Sequence, residues 1–180
     1  MKRIIAFIAA VVVLSGCGKK NNPVSPPTVI DFPPDTKFSV TLYSPAQSVS
    51  VGGTFEVRVV LYNVSNVFGA ALSVSYPGAV VDVLGVTGGG TFLPAASVID
   101  VSRIEPDSNR VSYAVSYENA TTGSSSTGSG VLCRIQCRAK ASGTAAFAIN
   151  QSTLEIKTAN GTLIPGFSNL LVENLSIGIH

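Results

Sequence analysis

Tryptophan is absent from this chain of 180 residues, histidine occurs once, as the terminal His180, and charged residues make up only 12%. The usual charged share of a soluble protein is about a quarter. Without an internal histidine, the many serines have no general base, which argues against a serine hydrolase. The 12 basic residues become 10 when Lys2 and Arg3 are left out, equal to the 10 acidic ones. This balance leaves no excess of positive charge with which to bind nucleic acid.

The few acidic residues do not form a catalytic pattern either. Glycoside hydrolysis needs two facing carboxyl groups, and the acidic residues here are scattered over the chain. Glu105 and Asp107 could help to hold a calcium ion, although solvated turn residues are the favoured interpretation. The three glycines at 88–90 lack the lysine and the following helix of a phosphate loop. We therefore expect a protein that is not an enzyme and that has no cofactor and no metal.

A short apolar run follows a basic start at the N-terminus. Lys2 and Arg3 precede 11 apolar residues at 4–14, whereas a spanning helix needs about 20, so the run predicts an export signal over residues 1–16. The sequence Leu14-Ser15-Gly16-Cys17 resembles the lipobox of bacterial lipoproteins, which implies cleavage before Cys17 and lipidation of that cysteine. The following Gly18 resembles outer-membrane sorting. The expected location is the bacterial cell envelope, lipid-anchored at the outer membrane or cell surface; an ordinary signal peptide is the alternative.

Proline is concentrated just after this signal. Residues 18–35 contain five of the ten prolines, and such segments are extended and semi-rigid, at about 3.1 Å per residue. Residues 17–36 are therefore predicted to be a lipidated cysteine followed by a spacer, which reaches on the order of 50 Å at most. A flexible tether of the same length is the alternative.

Residues 37–180 show the period-two alternation of strands that are buried on one face. Phe55, Val57 and Val59, for example, alternate with Glu56 and Arg58. Turn signals such as Asn-Gly at 160–161 separate the runs, and no window has helical periodicity. About nine such strands predict a single all-β domain, a β-sandwich, over residues 37–180.

Two of the three cysteines, Cys133 and Cys137, lie on one face of a predicted strand. Four residues along a strand span about 13 Å, while a disulfide needs Cα atoms within about 7 Å, so these two cannot pair with each other. A metal site would need further ligands nearby. We therefore expect both cysteines to be reduced and to fill the core.

Five stretches resemble successive landmarks of cohesin domains, the binding modules of cellulosomal scaffolds. They are VSVGGTF at 49–55, NVSNV at 63–67, GAALSVSYP at 69–77, GGGTFL at 88–93 and GVLCRIQC at 130–137. The resemblance implies a nine-stranded jelly-roll sandwich with Cys133 and Cys137 in core positions. It also implies a non-catalytic module that docks a calcium-loaded helical dockerin on one sheet face and so assembles polysaccharide-degrading complexes.

The resemblance places three strands side by side, at residues 70–76, 110–117 and 144–149. Their residues that point away from the core are all small and uncharged: Ala71, Ser73, Ser75, Ser112, Ala114, Ser116, Thr144, Ala146 and Ala148. A neighbouring strand is expected to add Asp100 and Ser102 at the rim. A flat sheet of small residues lets a partner approach closely, so we expect these nine residues to bind the dockerin-like partner. A solvated face without a partner is the alternative interpretation.

Two other functions use the same kind of fold. A carbohydrate-binding module needs a row of exposed aromatic side chains for its polysaccharide, and tryptophan is absent; Tyr113 and Tyr117 are predicted to face the core, which leaves Tyr43 and Tyr62 without an obvious row. A purely structural surface lipoprotein is the third possibility.

Overall fold

The computed structural model describes residues 32–88, 91–93, 98–119 and 124–180. In this part of the chain there are twelve β-strands and three short 3-10 turns. The predicted signal peptide at 1–16, Cys17 and most of the predicted spacer lie outside the described residues. Among the residues that are described, no helix is long and apolar enough to cross a membrane.

The smaller of two sheets has five strands in the order β11-β1-β3-β8-β5. Their bounds are Ser39–Tyr43 for β1, Thr54–Val67 for β3, Val81–Gly88 for β5, Ser126–Ala139 for β8 and Leu171–Glu173 for β11. All neighbours are antiparallel except β1 and β11. The long strands β3 and β8 form the centre of this sheet.

The larger sheet follows the order β2-β12-β9-β4-β7-β6, and β10 also pairs with β4. Its strands are β2 (Ser48–Val49), β4 (Gly69–Ser75), β6 (Val98–Glu105), β7 (Arg110–Tyr117), β9 (Gly143–Ile149), β10 (Glu155–Lys157) and β12 (Leu175–Ile179). Nine of the twelve strands are longer than three residues. The predicted number of nine omits β2, β10 and β11, which are too short to show an alternating pattern.

The apolar side chains of the two sheets meet in one core. Val57, Val59 and Ile135 of the smaller sheet are at most 1% exposed. Phe55 of that sheet packs edge-on against Phe147 of the larger one, with ring centroids 6.1 Å apart. The alternation in the sequence therefore reports correctly which side chains point inward, and the predicted all-β sandwich is confirmed.

The two internal cysteines lie in this core, as predicted. Cys133 and Cys137 are both completely buried and reduced. Burial raises the pKa of Cys133, and it raises the pKa of Cys137 to about 12. Both groups therefore remain thiols at neutral pH and pack as small apolar side chains.

Two of the sequence landmarks come together at one end of β8. The Val131 amide donates a hydrogen bond to Thr91 Oγ1 over 2.9 Å, and the Ser126 hydroxyl donates to the Phe92 carbonyl over 2.7 Å. A Cβ added to Gly130 would lie 2.8 Å from the Phe92 Cβ. Because a Cβ cannot come that close, the glycine is required where residues 91–93 cross the strand.

Candidate partner-binding face

The larger sheet brings together the three strands that were predicted to form the contact face. β4 pairs with β7 over its whole length, from Gly69 opposite Ser116 to Ser75 opposite Arg110. On its other side β4 pairs with β9 at Val74 and Ser75. β6 lies beyond β7, at the edge of the sheet. Four strands in the order β9-β4-β7-β6 therefore present one outer face.

Eight of the nine predicted contact residues have accessible side chains on this face. Those that are exposed are Ser75, Ala114, Thr144 and Ala146, and those that are half-buried are Ala71, Ser112, Ser116 and Ala148. Alanine, serine and threonine side chains extend little above the strands, so a partner can approach the backbone of β4 and β7 closely.

Ser73 is the exception, and its expected role as a contact residue is corrected. It is only 2% exposed. Its hydroxyl lies 2.8 Å from Thr153 Oγ1, and its amide donates to the same oxygen over 3.1 Å. Thr153 belongs to the 3-10 turn Gln151–Thr153, which folds back over β4 and is held there by a hydrogen bond from the Asn150 amide to the Ser73 carbonyl. Ser73 therefore anchors this turn and offers no free hydroxyl.

β10 pairs with the first half of β4. The sequence pattern had not indicated a strand at this position. Glu155 lies opposite Ala71, and Lys157 lies opposite Gly69. Both side chains belong to the outer face, and they form an ion pair of 2.7 Å. Ile156 between them is fully buried in the core. A three-residue strand gives no recognisable period, so only the alternation Glu155-Ile156-Lys157 hinted at it.

The side chains of β6 point the opposite way from the prediction. Ile99 lies opposite Ser116 and Val101 opposite Ala114, so both stand on the outer face. They are 58% and 65% exposed. Residues opposite each other in an antiparallel pair share a face, and a shift of one residue exchanges the two sides. The expected rim residues, Asp100 and Ser102, therefore lie on the inner side, where the open edge of the sandwich keeps them in contact with solvent.

The inner side of β6 has its own polar anchor. The Asp100 carboxylate interacts with the hydroxyl of Tyr113, whose ring is buried in the core as predicted. Burial and the negative charge of Asp100 raise the pKa of Tyr113. A Cβ at Gly88 would lie 3.1 Å from this hydroxyl and 3.3 Å from Asp100 Oδ2. The Asp100 carboxylate and this hydroxyl thus lie on the inner side of β6, and Ile99 and Val101 stand on the opposite side.

The outer face is therefore a trough rather than the expected flat surface. Its floor consists of Gly69, Ala71, Ala114 and Ser116, and the volume above this floor is about 420 Å³. Ile99 and Val101 form one wall, while β10 and residues 158–161 form the other. A second hollow of about 330 Å³ extends it over Ser112 towards Arg103 and Arg110. We call these two hollows together the trough.

The charged side chains that border the trough are ion-paired, and Glu155 and Lys157 stand along the β10 wall. Arg110 forms an ion pair with Glu105, and Arg103 Nε lies 3.8 Å from the same carboxylate. The hydrogen bond from Arg110 lowers the pKa of Glu105. Glu105, considered above for calcium, is thus already held by arginine, and no group of three or more potential metal ligands occurs in the described part of the chain.

The tyrosines considered for sugar binding do not form a platform. Tyr62 is 2% exposed and Tyr113 is 3% exposed, while Tyr43 and Tyr117 are half-buried. Tyr117 packs against Phe68, with ring centroids 5.9 Å apart. Within residues 32–88, 91–93, 98–119 and 124–180, the exposed large apolar side chains are all aliphatic. The described residues therefore present no row of exposed aromatic side chains.

Comparison with known proteins agrees with this arrangement. The family model of the cohesin domain matches residues 40–166. No curated protein matches the chain. The fold is similar to that of a non-cellulosomal cohesin from the archaeon Archaeoglobus fulgidus, with a TM-score of 0.62 and 18% identity over 79% of this chain and 91% of that one.

Two structures from Acetivibrio cellulolyticus are similar as well. A type II cohesin domain gives a TM-score of 0.66 and 14% identity over 77% of this chain and 94% of that one. The third cohesin of ScaC, solved in complex with the ScaB dockerin, gives 0.64 and 13% identity over 78% and 98%. Identities this low show a shared fold, the cohesin jelly roll, and not a shared partner.

Proposed function

This chain belongs to the cohesin domain family, and on that premise we propose that it is a non-catalytic module that holds a dockerin-like protein in the trough. Cohesin domains bind dockerin modules, and a similar structure contains such a complex. The observation that carries the proposal is the pair of exposed aliphatic side chains, Ile99 and Val101, beside a floor of alanine and serine.

The shape and chemistry of the trough suit a helix with an aliphatic stripe. The small floor residues Ala71 and Ala114 allow the helix to approach the sheet, and Ile99 and Val101 can cover its side. Burial of apolar surface contributes about 25 cal/mol per Å² before the costs of association. The ion-paired residues at the border are then rim groups, which affect orientation more than affinity. They are Glu155 and Lys157 on the β10 wall and Arg103, Glu105 and Arg110 at one end.

A direct test measures binding by calorimetry between the full-length chain and the dockerin modules of the same organism, in calcium. Val101→Arg puts a long cation into the trough and is expected to abolish binding. Leu84→Arg is the matched control, because Leu84 is 51% exposed and lies in β5 of the other sheet. Equal affinity of both variants would place the binding site elsewhere, and failure of every dockerin to bind would refute the proposal.

We also propose that the chain is tethered to the bacterial envelope by a lipid on Cys17, at the outer membrane or cell surface, and there takes part in polysaccharide-degrading assemblies. The tether is supported by the sequence of the N-terminal segment, with its basic start, short apolar run and lipobox. The part in such assemblies is supported by membership of the cohesin domain family. Cys17→Ala should remove labelling by radioactive palmitate and release the protein from the membrane fraction. Unchanged labelling of the variant would refute the tether but not the trough.

A further inference from the structure

A second apolar cluster lies on the outer wall of the smaller sheet, opposite to the trough. Val57, Val59 and Leu61 of β3 belong to the core, whereas Val60 and Tyr62 belong to a separate cluster. The pairing of β3 with β8 shifts register after Val59, and this bulge turns Val131 of β8 outward beside Val60.

The three residues of this cluster are buried although they face away from the core. Val60, Tyr62 and Val131 are 0%, 2% and 0% exposed. The half-buried side chains that pack against them are Phe32 and Tyr43. Phe32 precedes the first strand by seven residues, so a segment from outside the predicted domain covers part of its wall.

Aromatic packing and hydrogen bonds to backbone carbonyls hold this segment in place. The Phe32 ring stands edge-on to Tyr62, with centroids 5.5 Å apart and an angle of 84° between the planes. The Tyr62 hydroxyl donates to the Pro33 carbonyl over 2.8 Å. Asn63 Nδ2 donates to the carbonyls of Asp35 and Lys37, over 3.1 and 2.7 Å. Neighbouring residues of β3 therefore bind three successive points along the segment.

The segment is also fixed at its far end. Lys37 Nζ donates to Glu173 Oε1 over 2.6 Å, and Thr41 Oγ1 donates to Glu173 Oε2 over 3.2 Å. The hydrogen bond with Glu173 raises the pKa of Lys37. Glu173 lies in β11, next to β1, so the edge strand of the sheet also contacts the segment.

We propose that residues 32–37 are a strap docked on the smaller sheet, and that the spacer ends before Phe32 rather than at residue 36. Phe32, the first described residue, then lies on the wall opposite to the trough. Docking there removes residues 32–36 from the predicted spacer and sets the partner-binding face on the other side of the domain from Phe32. The inference goes beyond partner binding and does not depend on it.

The absence of tryptophan provides a specific reporter. Phe32→Trp introduces one indole ring in the full-length chain, studied in detergent micelles. A docked strap shields this ring, so we expect blue-shifted emission and weak quenching by acrylamide. Adding Tyr62→Ala should raise the quenching constant severalfold. Adding Leu163→Ala, a surface change at a residue that is 47% exposed, should leave it unchanged.

A second variant tests the proposal independently in case Tyr62→Ala unfolds the domain. Asn63 has a φ of 52°, a conformation that glycine adopts readily. Asn63→Gly therefore keeps the backbone and removes the amide that holds Asp35 and Lys37, and we again expect stronger quenching. Strong quenching of the indole in the Phe32→Trp protein without any second change would overturn the proposal. Shielding that persists when Tyr62→Ala or Asn63→Gly is added would also overturn it, because detergent alone would then explain the shielding. Neither result depends on dockerin binding.

Discussion

Val101 lies directly opposite Ala114 in the pairing of β6 with β7, and both side chains stand on the outer face. One is a large apolar group that is 65% exposed, and the other is a small floor residue. A step of this kind between neighbouring strands makes the wall of a trough. Asp100, the residue between Ile99 and Val101, points to the inner side, where its carboxylate and the Tyr113 hydroxyl both lie near Gly88.

The depth of the trough should set the affinity for the partner. Ala114→Leu raises the floor without adding charge, and we expect it to weaken dockerin binding at least about tenfold, or about 1.4 kcal/mol. Thr87→Leu is the control, at an exposed position on β5 of the smaller sheet. Titration calorimetry of both variants checks this, and equal losses would argue against a specific role for the floor beside Val101.

Ser73 should matter for stability and not for the partner directly. Ser73→Ala removes the 2.8 Å contact with Thr153 Oγ1, and a net loss of about 1 kcal/mol in the free energy of unfolding is expected. Ser75→Ala changes an exposed hydroxyl on the same strand and should cost less than about 0.5 kcal/mol. Urea unfolding measures both, and a Ser73→Ala variant as stable as Ser75→Ala would contradict the anchoring role.

Acid should destabilise the smaller sheet through Glu56. Burial opposes its ionisation, but hydrogen bonds from Arg58 and Arg134, of 2.5 and 3.0 Å, outweigh burial and lower the pKa below the ordinary 4.5. A lowered pKa in the folded state stabilises the protein above the ordinary value, and this stability is lost as the pH falls through the lowered value.

Glu56→Gln tests this reasoning. The variant should be less stable than the wild type at pH 7, and the difference should shrink as the pH falls below 4.5, the ordinary pKa of the carboxyl. Urea unfolding at a series of pH values gives the difference, with Glu118→Gln at an exposed position as the control. A difference that stays constant with pH would show that the ionised form of Glu56 is not what stabilises the sheet.

The buried thiols should be inert until the domain unfolds. Burial raises the pKa of both Cys133 and Cys137 and removes them from solvent, and a thiol reacts as its thiolate. Ellman's reagent at pH 8 should therefore react with neither thiol in the folded protein and with both in denaturant. Reaction of a third thiol would come from Cys17 and would contradict lipidation there; fast reaction of Cys133 in the folded state would contradict the core.

The sequence was informative where one face of a strand is covered. Phe55, Val57 and Val59 alternate with charged residues, and the pattern identified the buried side because the opposite sheet excludes water there. The same reasoning placed Cys133 and Cys137 in the core. The adjacency of β9, β4 and β7 came from the resemblance to cohesins, since pairing between distant segments leaves no mark in local periodicity.

The sequence was less informative at edges and short elements. β6 is an edge strand, and its aliphatic and polar residues are exposed on both faces, so their alternation does not identify the inner side. The cover over Ser73 is a three-residue turn, and β10 also has three residues, so neither shows a period. The nine predicted contact residues remain a prediction as a binding site. Of the eight that are accessible, four line the trough (Ala71, Ser112, Ala114 and Ser116) and four do not (Ser75, Thr144, Ala146 and Ala148).

Methyl spectroscopy during a titration with dockerin tests the central claim most directly. Labelled alanine, isoleucine and valine methyl groups report on both walls of the sandwich at once. We expect the resonances of Ala71, Ala114, Ile99 and Val101 to shift on binding, while those of Val60 and Val131, on the opposite wall, stay in place. Shifts at Val60 and Val131 without shifts at Ala114 and Val101 would contradict the account.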